Sequence, residues 1–177
     1  FADSVYTTVE GYDVKFTELK FFFTGIQNNG VLLADAALYD WSNKGSLMLS
    51  VAGKNADFSS LSGNLGVGAT ENHADPTVLP NEHPLHISNA GDMHWDWNPG
   101  YIFIKVEARV DTIPNGIPLF DHTVVFHVGK DENMQTWTFD ELNWVPVNYA
   151  SKRCSFKLDL AKFLQNDGQN IDLRYEY

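Results

Sequence analysis

A chain of 177 residues with 44% hydrophobic content is long enough for one continuous core and too short to need two, so residues 1–177 are expected to form a single domain. A formal charge of -11 repels phosphate backbones and anionic lipid, which argues against nucleic acid or an acidic membrane face and for cations as partners. Cys154 is the one cysteine, which excludes an intrachain disulfide and any multi-cysteine zinc or iron-sulfur site.

Aromatic residues reach 14%, long runs of strong helix formers are scarce, and Gly, Asn, Asp, Ser and Thr recur at short intervals. That is the composition of strands and turns. No segment approaches the roughly 18 apolar residues that span a bilayer. The opening Phe1-Ala2-Asp3-Ser4 has no initiator methionine and no charged-then-apolar leader, the pattern expected of a processed mature form.

In chain order, Val14 to Phe23 alternates as a half-buried strand, and Gln27-Asn28-Asn29-Gly30 is turn chemistry leading into a second strand, Val31 to Tyr39. Leu47 to Val51 predicts a third, ending at Gly53-Lys54-Asn55. From Phe58 to Gly68 the Ser and Gly spacing weakens the period, and Leu61, Leu65 and Val67 allow a short amphipathic piece. Residues 70 to 92 contain Pro76, Pro80 and Pro84 among Asn, Asp and His, the signature of a long irregular connection. After Pro99-Gly100, Tyr101 to Glu107 is the clearest strand, and Thr112 to Gly116 turns the chain toward Thr123 to Val128. Gln135 to Phe139, Cys154 to Leu160 and Ile171 to Tyr177 complete the strands. Leu160 to Leu164 is the one good helical fragment, with Asn166-Asp167-Gly168 as its cap. Many short strands between frequent turns predict an all-β, antiparallel β-sandwich with long loops and at most one or two short helices.

All six histidines fall in one window: His73, His83, His86, His94, His122 and His127. Imidazole is the commonest side-chain metal ligand and suits copper, zinc, nickel and iron, so this window is the candidate metal region. In a strand, His127 points away from the face of Phe126 and Val128, and the loop around His73 is long enough to fold back toward it. Each histidine also has a structural reading. His83 and His86 flank Pro84 in a polar loop, where solvation is the default; His122 follows Asp121 at a strand entrance; His94 sits between Met93 and Trp95. His73 precedes Asp75, a natural turn cap. Cys154 reads as a small hydrophobe in a strand, with a thiolate ligand ranked below the imidazoles.

Signatures of catalysis are absent. Gly66-Val67-Gly68 lacks the third glycine of a nucleotide loop, and there is no Gly-x-Ser-x-Gly elbow or His-Glu-x-x-His pair. A non-enzymatic role is therefore expected.

Asn72-His73-Ala74-Asp75-Pro76, the proline-containing loop, Met93-His94-Trp95-Asp96-Trp97, Gly100 to Glu107 and Phe126-His127-Val128-Gly129 resemble, in that order, the MbnP-type copper-binding proteins. Within that family the acidic chain is most similar to the copper-repressible surface proteins of methane-oxidising bacteria. The resemblance implies a β-rich secreted protein of the cell surface or periplasm that serves copper acquisition. It implies one Cu(I) held by two histidines and a kynurenine made from tryptophan by a tryptophan-oxidising partner. Carried over by position, the histidines are His73 and His127. Trp95 is placed first for the oxidised residue, with Trp97 in the same motif, whereas Trp41, Trp137 and Trp144 align with none. His94 stands where the family more often has Phe or Tyr, and is a spare ligand. Asp75 or Asp96 is expected to fix an imidazole tautomer. Calcium is a second cation for the acidic loops, although their spacing spells no calcium loop. Two rival readings use the same residues: a copper-dependent oxidase or oxygenase with an open coordination position, and a β-sandwich adhesion or ligand-binding module whose histidines are incidental.

Overall fold

The computed structural model describes residues 4–45, 47–54, 58–95, 100–113, 115–166 and 168–175. The fold is all-β, with antiparallel sheets, helices of a single turn and no closed barrel, in agreement with the sandwich expected from composition. The strands are β1 (Tyr6–Thr7), β2 (Asp13–Asn28), β3 (Val31–Asp40), β4 (Leu61–Leu65), β5 (Ile102–Asp111), β6 (His122–Gly129), β7 (Gln135–Phe139), β8 (Trp144–Pro146), β9 (Lys152–Cys154), β10 (Gln165–Asn166) and β11 (Gln169–Asn170). The main sheet has seven strands in the order β6-β5-β2-β4-β7, with β1 and β3 also paired to β2, and β8-β9 and β10-β11 form separate ladders. The four helices are α1 (Trp41–Lys44), α2 (Ala69–Asn72), α3 (Ile87–Ala90) and α4 (Leu160–Phe163).

Local chemistry accounts for these elements. Asn29 and Gly30 both take positive φ, at 49° and 78°, which is the two-residue turn whose twist matches a tight hairpin, so β2 and β3 pair directly across it. Asp40, Asp75 and Asp159 each accept a backbone N–H at the start of a helical turn, satisfying a donor that would otherwise be orphaned.

Several expectations are corrected. Residues 47–50 form no strand, although Leu49 packs against the cluster of Ile26, Ala37 and Leu61; its apolar pattern served packing without a ladder. The weak stretch from Phe58 to Gly68 contains β4, whose Gly63 lets the Trp137 ring lie against its backbone, and a glycine that disrupts a hydrophobic period can serve such close approach. The strand expected from Cys154 to Leu160 stops at Cys154, and Ile171 to Tyr175 turns instead of extending. The helix at Leu160–Phe163 has its C-cap at Leu164, while Asn166 pairs with Gln169 in a ladder, so Asn166 does not cap the helix. Asn55, Pro114, Asp167 and Tyr177 lie outside the described residues.

By packing, the chain divides into two compact units. One comprises Phe1–Leu19, Lys105–Phe126 and Lys157–Tyr177, and the other Lys20–Ile104 and His127–Phe156. In the first, Val14, Phe16, Val106, Val110 and Val124 are buried, and the buried Lys105 is ion-paired with Glu18 at 2.8 Å and Glu107 at 3.4 Å. In the second, Phe22, Leu38, Val67, Leu85, Met93, Tyr101 and Phe103 form the main cluster. At its centre the Tyr101 ring meets Phe22 edge-on at 5.5 Å, and its hydroxyl donates to the Leu85 carbonyl. Burial pushes the Tyr101 phenol up to about 12, with the Asp75 charge adding to the shift.

Candidate functional site

The end of β6 organises the site, all of it within the second unit. Side chains alternate along a strand, so His127 shares its face with Gly129, opposite Val128; His127 is exposed and Gly129 buried. Gly129 is buried because Trp95 lies on it. A Cβ at Gly129 would meet Cη2 and Cζ3 of the Trp95 ring at 2.5 Å and the Tyr101 carbonyl at 2.6 Å. The absent side chain is thus what lets the indole reach the strand, two positions from His127. The backbone of Trp95 is fixed by its N–H donating to the Gly100 carbonyl at 3.1 Å, and the preceding His94 bridges to Tyr101.

After Gly129 the chain reverses at Lys130, at φ 70°, into a 3-10 turn that begins at Asp131. Asp131 meets the Asn-His pair at the end of α2. Asn72 donates to Asp131 Oδ1 at 2.7 Å, and His73 Nε2 meets Oδ2 at 2.9 Å. These bonds, Asn72 first, hold the Asp131 carboxyl below the usual carboxylate range. An ionised carboxylate only accepts, so the proton of neutral His73 sits on Nε2 and the Nδ1 lone pair is unprotonated. Among the described residues Nδ1 carries no hydrogen bond, and the side chain is 59% exposed. A neutral imidazole fixed in one tautomer with its other nitrogen open is a metal ligand in waiting.

Asn72 is the strut behind this arrangement. It is buried, and besides holding Asp131 its carbonyl accepts the Tyr101 N–H at 2.7 Å. One amide therefore ties the His73 loop both to the turn after β6 and to the start of β5.

Of the predicted residues, Trp95 lies against Gly129 of β6 and His73 is held by Asp131, two residues after that strand, while His127 is exposed on β6 itself. The other histidines have different surroundings. His83 was expected in solvent, yet its side chain is only 15% exposed. Its Nδ1 accepts the Leu85 N–H at 3.1 Å and its Nε2 meets Asp35 at 2.9 Å, so both nitrogens are engaged. His86 caps α3, its Nδ1 accepting from Ser88 N at 3.2 Å. His94 packs edge-on against Tyr101 at 4.9 Å. His122 opens β6 in the first unit. Cys154 is half-buried in β9, opposite Trp144.

Asp75 does not orient an imidazole; its Oδ1 accepts from Thr77 N at 2.9 Å and Thr77 Oγ1 at 2.7 Å, which lowers its carboxyl. Asp131 holds His73 instead. Asp96 and Trp97 lie outside the described residues. Sequence reading missed Asp131 and the strut Asn72. The signal for Asn72 was present in Asn72-His73-Ala74-Asp75-Pro76, as a residue next to the ligand; Asp131 lies beyond the motif at 127–129 and carried none.

Among the described residues no group of three or more His, Cys, Asp or Glu side chains is disposed to hold an ion. Two imidazoles alone would suit a cation that tolerates low coordination and nitrogen donors better than a hard, oxygen-seeking ion such as calcium. No helix of the described residues is long and apolar enough to cross a membrane.

The family model described as MbnP matches residues 2–176. Among solved structures, MbnP from Methylosinus trichosporium is similar at 16% identity and a TM-score of 0.46, over 77% of this chain and 64% of that one. None of the curated proteins matches the chain.

Proposed function

From the premise that the chain belongs to the MbnP family, we propose that it is a non-catalytic copper-binding protein of the cell surface or periplasm that serves copper acquisition. His73 and His127 hold one Cu(I), with Trp95, oxidised to kynurenine by a partner protein, as the third donor. The observation that supports this reading is a pair of contacts near the end of β6: Asp131 holds His73 by Nε2, and Trp95 lies on Gly129, two residues from His127.

The donor set suits the ion. Cu(I) accepts two or three soft or imidazole donors and needs no carboxylate. In this reading Nδ1 of His73 donates, because Asp131 occupies Nε2, and Asn72 keeps the carboxylate in place. Oxidation of Trp95 by dioxygen, supplied through the partner protein, would break the indole C2–C3 bond, and hydrolytic loss of C2 as formate would leave an aromatic amine able to donate, on a benzene ring already in contact with Gly129. Copper is here cargo and not a catalyst.

Copper content of protein purified from its native source tests the proposal. One equivalent in the unaltered protein and none in the His73→Ala, His127→Ala double variant is expected. Copper retained by the double variant removes the ligand assignment, and oxygen turnover with a reductant would move the protein to the oxidase class. Peptide mapping is expected to find the peptide of Trp95 heavier by oxidation; tryptophan unmodified throughout would remove the third donor.

A further inference from the structure

The net charge that argues against anionic surfaces is not evenly spread. Residues 142–156 contain Lys152 and Arg153 and no acid, although the chain holds 23 acidic residues. This stretch is the β8-β9 hairpin, with register Trp144↔Cys154, Val145↔Arg153 and Pro146↔Lys152. Residues directly opposite each other in a ladder share a face. One face carries Trp144 and Cys154, both half-buried, and is anchored by the Trp144 Nε1–H donating to the Phe58 carbonyl at 2.9 Å. The other face carries Val145, 55% exposed, beside the exposed Arg153. Val147 continues that face at 52% exposure, its N–H donating to the Ser151 carbonyl at 3.0 Å. At the tip Tyr149 is fully exposed.

An exposed tyrosine and two valines on a small ladder would be a solubility cost if they faced water throughout the protein's life. The valines lie beside Arg153, and Lys152, opposite Pro146, stands on the other face close to the tip; with no acid in the stretch, the tip as a whole matches a different surface. Anionic headgroups attract Lys and Arg, and the amphipathic Tyr ring is suited to the interface between water and acyl chains. We infer that the β8-β9 hairpin docks tip-first on an anionic lipid surface, with Tyr149 and Val147 entering the interface and Arg153 and Lys152, one on each face of the ladder, on headgroups. Repulsion from the acidic remainder makes this contact weak and reversible, and confines it to the hairpin, because charges more than about 8 Å from the surface are screened at physiological salt.

The test is co-sedimentation of the full chain with vesicles of phosphatidylcholine alone or with added phosphatidylglycerol. Binding only to the anionic vesicles, falling as salt rises, is expected. Arg153→Glu is expected to weaken it about fivefold or more, the order of effect of one cation near such a surface, and Tyr149→Ser to weaken it without changing the salt dependence. Both side chains are exposed, so neither change disturbs the core, and copper content should be unaltered, which separates this inference from the copper reading. Absence of binding to anionic vesicles at low salt, or binding that both variants leave unchanged, overturns it. Retention on immobilised poly-glutamate without vesicle binding assigns the hairpin to an acidic protein and equally overturns the lipid reading.

Discussion

His83 and His73 make the same contact, Nε2 to an aspartate oxygen at 2.9 Å, and yet they have opposite prospects. At His83 the second nitrogen accepts the Leu85 N–H and the side chain is 15% exposed; at His73 no hydrogen bond is made by Nδ1 among the described residues, and exposure is 59%. A carboxylate on one imidazole nitrogen fixes the tautomer in both places. What the other nitrogen meets decides whether the result is a staple or a ligand. The difference also explains why sequence context misleads: the histidine in the more polar loop is the buried one.

The comparison can be broken at several points. Gly129→Ala should have the largest effect on the protein itself. The new Cβ has a rigid ring at 2.5 Å and a backbone carbonyl at 2.6 Å, an overpacking cost of about 1–3 kcal/mol. Chemical denaturation would measure it. Unchanged stability would mean that Trp95 does not rest on β6. Next comes Asp131→Asn, which keeps the shape but loses the acceptor-only group on His73 and is expected to weaken Cu(I) binding by roughly 10- to 100-fold. Competition with a chromophoric Cu(I) chelator reads this directly, and an affinity within twofold of the original would show that Asp131 does not orient the ligand.

His83→Ala sharpens the contrast from the other side. It should destabilise by about 1–2 kcal/mol, leaving the Leu85 N–H without its acceptor, while Cu(I) affinity stays as it was; a fall in affinity would place His83 in the site after all. The smallest effects are on pH. Asp35, held low chiefly by the hydrogen bond from His83, contributes stability above the unfolded carboxylate pKa near 4, and that contribution disappears as pH falls through its depressed folded value. Tyr101 behaves in the reverse sense. Its raised phenol, at about 12 against an ordinary 10, contributes below pH 10 and ceases to contribute as pH rises toward 12. Tyr101→Phe should therefore flatten the alkaline limb of the stability profile, and an unchanged limb would count against its burial as the cause.

Much of the fold was legible. β2, β3, β5, β6 and β7 stood out because alternation, β-branched and aromatic content and turn residues agreed at each. β4 was obscured by the glycine that makes room for Trp137, and Leu47 to Val51 misled because an apolar run packs equally well without a ladder. At the site, the imidazoles and the aromatic were legible as residue types in motifs. Their supports were not: Asp131 lies 58 positions from His73, and a contact formed only by folding leaves no local pattern. Gly129 was visible only as part of a motif; its role as the seat of an indole needed the third dimension.

If His73 and His127 hold one Cu(I) as proposed, they must meet on it while Asp131 keeps its hold on His73. A crystal structure of the copper-loaded protein, with anomalous scattering collected at the copper edge, tests it most directly. The predicted result is a single peak between the rings of His73 and His127, with Nδ1 of His73 nearest the metal and Nε2 still on Asp131. A peak at His86 or His94, or His73 bound through Nε2 with Asp131 displaced, would contradict it.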